Sequence, residues 1–83
     1  MSEQNRLAIL NFINSNSTPG IPSRLSFNSL GKMVNLSKQE LDIFLLELSK
    51  QRFISQYAKK GVDSFTVIIN QKGIDAVQDE SFI

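Results

Sequence analysis

Eighty-three residues, 41% hydrophobic and 20% charged, are enough for one small domain around a single core. A formal net charge of +1 supplies no global field toward nucleic acid or an anionic membrane. The chain has no cysteine and no histidine, which removes disulfides, thiolate chemistry, imidazole ligands and the Ser-His-Asp arrangement, so no enzyme activity, metal or other cofactor is expected.

No apolar run approaches the roughly 18 residues that a membrane span requires. The start, Met1 to Arg6, is polar and lacks the pattern of a secretory signal. The expected compartment is therefore the cytoplasm, with no membrane contact.

A first helix is predicted over 2–15, with Ser2 as its cap and Glu3 favoured by the helix dipole. Leu7, Leu10 and Ile13, widened by Ala8, Ile9 and Phe12, give it a broad apolar face. Thr18-Pro19-Gly20 ends it, and Ile21 to Leu25 reads as a short edge strand. Ser26 caps a second helix over 27–34, where Phe27, Leu30 and Val34 share helical spacing. Ser37-Lys38-Gln39-Glu40 is a capping box, the firmest local signal in the chain. It opens a third helix over 38–51, whose Leu41, Phe44, Leu45 and Leu48 form one stripe facing the core.

From Phe53 the apolar period shortens to two. Phe53 to Ala58 reads as a strand, 59–63 as a turn carrying Lys59 and Lys60, and Ser64 to Asn70 as the return strand, so the hairpin spans 53–70. Asn70 is placed to cap a last short helix over 71–78. The expected class is α+β, mainly α: a three-helix core, a C-terminal β-hairpin and a short last helix. Leu10, Ile13, Leu30, Leu41, Phe44, Leu45, Leu48, Ile54 and Val67 are the expected core.

This order resembles the winged-helix family of small bacterial and phage-type DNA-binding regulators. The resemblance runs over roughly residues 5–77. It is carried by Leu30-Gly31-Lys32, by Val34-Asn35-Leu36-Ser37 at the turn, and by Leu41, Leu45 and Leu48. Arg52-Phe53-Ile54, Phe65-Thr66-Val67 and Gln71-Lys72-Gly73-Ile74-Asp75-Ala76 complete it. Arg52 departs from the family, which often has glycine there in a left-handed conformation. Either the third helix ends another way or Arg52 adopts the strained angle.

The resemblance implies a helix-turn-helix whose third helix reads double-stranded DNA while the hairpin, as a wing, touches the backbone, with two copies on a two-fold related site. Lys38, Gln39 and Asp42 then face bases, Lys50, Arg52, Lys59 and Lys60 face phosphates, and Ser29 and Lys32 offer phosphate contacts from the second helix. Against this, the charges of the third helix sum to −1. Ile43 and Leu46 lie opposite its core stripe, with three readings open: core covered by the second helix, contacts to thymine methyls, or a protein-contact or dimer patch. Phe82 and Ile83 are apolar at the chain end, with two readings open: docking on a partner chain, or fraying. A winged-helix protein-interaction module built on Ile43, Leu46 and the C-terminus is thus the alternative to a DNA-binding transcriptional regulator.

Overall fold

A computed structural model describes residues 3–80 of the chain. The elements run α1 (Glu3–Ser15), β1 (Ser23–Ser26), α2 (Phe27–Val34), α3 (Lys38–Lys50), β2 (Ile54–Lys60), β3 (Ser64–Ile69) and α4 (Gln71–Asp79). The described residues thus form an α+β fold of four helices and one three-stranded antiparallel sheet, with β3 between β1 and β2. Ser2, Phe82 and Ile83 lie outside the described residues.

The apolar spacing explains the packing. Leu41, Phe44, Leu45 and Leu48 turn one side of α3 inward, where they join Ile9, Leu10 and Ile13 of α1 and Leu30 of α2. Ile54 of β2 and Phe65, Val67 and Ile69 of β3 close the same core from the sheet. All nine expected core residues are buried. The edge strand begins at Ser23, after Pro22, and pairs with β3 from Ser23↔Val67 to Ser26↔Ser64.

The capping box forms as expected: Glu40 N–H donates to Ser37 Oγ at 3.2 Å and Ser37 N–H donates to Glu40 Oε1 at 3.1 Å. Asn70 precedes α4 but its side chain does not cap it. Its Nδ2 donates to the Arg52 carbonyl at 3.0 Å, and its Oδ1 accepts from Ser55 Oγ at 2.9 Å.

That diversion explains how α3 ends. Arg52 takes the left-handed conformation, φ 68°, in place of the usual glycine. Phe53 N–H donates to the Leu48 carbonyl and Arg52 N–H to the Ser49 carbonyl, at 3.0 and 3.1 Å, which is a Schellman closure. Residues from the β3–α4 junction hold it in place. Asn70 N–H donates to the Phe53 carbonyl at 3.1 Å. Lys72 Nζ donates to the Gln51 carbonyl at 2.8 Å and lies 4.4 Å from the centroid of the Phe53 ring. Gly73 makes this approach feasible, because a Cβ there would overlap the Phe53 carbonyl oxygen.

The hairpin differs from the sequence reading. Lys59 and Lys60 are strand residues paired with Phe65 and Ser64, and the turn is only 61–63. The cause is a β-bulge. Three residue steps in β2, from Ser55 to Ala58, face two in β3, from Ile68 to Thr66. Gln56 supplies the extra residue and takes φ 54°, a position where such bulges favour glycine.

Two substitutions test the α3 exit. Arg52→Gly relieves the left-handed residue and is expected to raise stability by about 0.5–1 kcal/mol in urea unfolding. Gly73→Ala gains about 1 kcal/mol of helix propensity but forces α4 off the exit turn, which costs about 1–3 kcal/mol. The expected net is a loss; a more stable Gly73→Ala variant would refute the close approach.

Candidate functional site

Two large aliphatic side chains stand exposed on the side of α3 away from the core, as Ile21, Met33 and Val62 do singly elsewhere in the chain. At about 100° per residue, Gln39, Ile43, Leu46 and Lys50 fall within one narrow outer stripe. Ile43 is 56% and Leu46 55% exposed, in a chain whose aliphatic residues otherwise mostly fill the core. The reading that α2 covers them is therefore incorrect: α2 packs on α3 through Leu30, which points to the opposite side. Ile43 and Leu46 border an open depression shared with Glu47, Ser49 and Lys50.

The acidic residues of α3 lie beside this stripe, and each is already bonded. Glu40 closes the capping box. Glu47 accepts from Gln51 Nε2 at 3.5 Å. Asp42, expected to face bases, instead accepts from Tyr57 Oη at 2.6 Å through Oδ1 and from Lys59 Nζ at 3.3 Å through Oδ2. The bulge at Gln56 causes this. It reverses the alternation of β2, so that Tyr57 and Lys59 both point toward α3. Tyr57 also packs edge-on against Phe65, with centroids 5.8 Å apart.

The Tyr57 hydroxyl holds the Asp42 carboxyl below its ordinary value against the opposing effect of burial, and Lys59 and Lys38 add to this. The Tyr57 phenol is pushed up, first by burial and then by its bond to Asp42.

The remaining expected residues are dispersed around the stripe. Lys38, in the first turn of α3, bends away from it: Nζ donates to the Val62 carbonyl in the hairpin turn and stands 5.3 Å from the centroid of the Phe27 ring. Lys59 is paired with Asp42, with its side chain 56% exposed. Lys60 is exposed at the end of β2, Lys50 at the end of α3, and Arg52 in the exit turn. Ser29 and Lys32 are exposed on α2. The start of α2 is not an open anion site, however. Asn28 N–H donates to Asp63 Oδ1 at 3.0 Å, Phe27 N–H to the Asp63 carbonyl at 2.7 Å, and Ser29 N–H to Ser26 Oγ at 3.2 Å. Ser26 Oγ in turn donates to Asp63 Oδ2 at 2.6 Å.

Tyr57, Asp63 and Gln56 are the residues that sequence reasoning missed. Asp63 was explicable as a turn residue alone, and neither Tyr57 nor Gln56 carries a spacing signal. Among the described residues no group of three acidic side chains is disposed to hold a metal ion, and no helix is long and apolar enough to cross a membrane. Comparison with family models, with curated proteins and with solved structures finds no match.

The Asp42 cluster predicts a pH dependence. A carboxyl whose pKa is lowered on folding stabilises the fold above its unfolded value, about 3.9, and loses that contribution as pH falls through the folded value. A phenol whose pKa is raised stabilises the fold below about 10 and loses that contribution as pH rises beyond it. Tyr57→Phe is expected to cost about 0.5–1.5 kcal/mol at pH 7. In urea melts across pH, its deficit relative to wild type should shrink below pH 4 and again above pH 10. A deficit that is constant from pH 3 to 11 would show that the bond to Asp42 contributes nothing.

Proposed function

We propose that the chain is a winged-helix domain that binds duplex DNA as a sequence-specific transcriptional regulator, with α3 in the major groove and the β2–β3 hairpin as its wing. The order α1-β1-α2-α3 followed by a hairpin, with β3 central in the sheet, suits that architecture. The observation that carries the reading is the acid-free outer stripe of α3. The helix is acidic in sum, but Glu40, Asp42 and Glu47 all lie off the stripe and have partners within the chain. The face left for a groove reads Gln39, Ile43, Leu46, Lys50.

In this reading Gln39 reads a base edge, glutamine being suited to adenine. Lys50 and Lys60 meet phosphates, with Arg52 and Lys32 further out. Lys38 positions the wing against α3 and does not itself read bases. Two copies on a two-fold related site belong to the same proposal.

Ile43 and Leu46 also favour a second reading, a protein-interaction module, because exposed aliphatic residues on one helix are a usual contact surface. A titration of labelled duplex at several salt concentrations separates the two. Wild-type binding should weaken as salt rises, and Lys60→Ala should reduce the slope of log K against log salt by about 0.9, one phosphate contact. Lys59→Ala should reduce it less, since Asp42 already offsets that charge. Leu46→Glu should abolish binding with the fold intact. If wild type shows no salt-dependent binding at low ionic strength while sedimentation reveals an assembly that Leu46→Glu dissolves, the protein-contact reading replaces this one.

A further inference from the structure

We infer that Ile43 and Leu46 recognise thymine methyl groups, so that the outer face of α3 selects A·T pairs in the major groove. This rests on the DNA-binding reading above and adds the chemistry that the same face selects.

The argument starts from what lies beside the two side chains. Each is more than half exposed. Along the stripe they are bracketed by Gln39 and Lys50. Around the helix they are flanked by Glu47 on one side and by Asp42, with its Tyr57 and Lys59 partners, on the other. The apolar surface is therefore two side chains wide and closed in by polar groups. A stable protein interface needs about 800 Å² from each partner around a continuous apolar centre, which so narrow a patch does not offer. A single helix face of this width does match the floor of a major groove about 12 Å wide.

On that floor the apolar group available is the C5-methyl of thymine. Guanine, cytosine and adenine present only donors and acceptors there, which Ile43 and Leu46 would strip of water without replacing the lost hydrogen bonds. From Gln39 to Leu46 the helix rises about 10 Å, or roughly three base pairs of duplex. Gln39 at one end suits adenine N6 and N7. The stripe thus reads adenine by hydrogen bonding and the thymines beside it by apolar contact.

The test needs no knowledge of the natural site. Fluorescence anisotropy at one fixed salt concentration compares an alternating A·T duplex of about 20 base pairs with the same duplex carrying deoxyuridine for every thymidine. Wild type should bind the thymidine duplex about fourfold more tightly for each methyl group it buries. The double variant Ile43→Ala, Leu46→Ala changes only exposed side chains, so it retains the fold. It should bind both duplexes with a ratio near one. Equal wild-type affinity for the two duplexes overturns the methyl inference and leaves DNA binding in place. A thymidine preference that survives in the double variant also overturns it, because the methyl contact then belongs to other residues. No binding to either duplex at low salt overturns the DNA-binding reading together with this one.

Discussion

One inserted residue in β2 governs how the hairpin and α3 face each other. Without the bulge at Gln56, strict alternation from the buried Ile54 would turn Tyr57 and Lys59 to the far face of the sheet. Asp42 would then stand beside the outer stripe of α3 as a bare carboxylate, which repels phosphate. With the bulge, the same hairpin brings a hydroxyl and an ammonium to that carboxylate. The left-handed angle at Gln56 is a local cost of about 1–2 kcal/mol that the surrounding sheet imposes.

The exit from α3 follows a similar principle. Arg52 holds an angle that glycine would adopt more readily, and the reason it can do so lies twenty residues downstream. The backbone of Asn70, the side chains of Asn70 and Lys72, and the missing Cβ of Gly73 all converge on the carbonyls of Gln51, Arg52 and Phe53. The angle between α3 and β2 is thus set by α4 as much as by the turn itself. In a domain whose total stability is of the order of 5–15 kcal/mol, several polar ties of about 1 kcal/mol each are a substantial share.

The helices were legible because their signals are local. Ser37 and Glu40 are three residues apart, and Leu41, Phe44, Leu45 and Leu48 repeat within two turns, so both the start and the inward face of α3 follow from the sequence. The hairpin was legible as a hairpin, but not in its phase, because Gln56 has no composition or spacing that marks a bulge. That phase decided whether Lys59 faces solvent at a tip or Asp42 on a helix. The charge of α3 was countable from the sequence, yet its distribution was not. Whether Glu40, Asp42 and Glu47 matter to a partner depends on bonds to Ser37, Tyr57 and Gln51, two of which are within the helix's own turns and one of which spans fifteen residues. The exposure of Ile43 and Leu46 does not follow from the sequence for the same reason, since it depends on where α2 packs.

Asp63 gives the hairpin turn an unusual relation to the rest of the chain. A turn at the end of a two-stranded ribbon is ordinarily among the first segments to open, because few contacts hold it. Here its carboxylate supplements the Ser26 cap of α2 by accepting from Asn28 N–H and Ser26 Oγ, and the Lys38 ammonium donates to the neighbouring Val62 carbonyl from α3. Opening the turn therefore removes one acceptor from the start of α2 and one side-chain bond from the first turn of α3, while Ser26 and the Ser37–Glu40 box still cap the two helices. The turn is thereby tied by hydrogen bonds to the starts of both helices, where an untethered hairpin tip has only its own strands to hold it. A turn tethered in this way has little conformational entropy left to lose in any contact it makes.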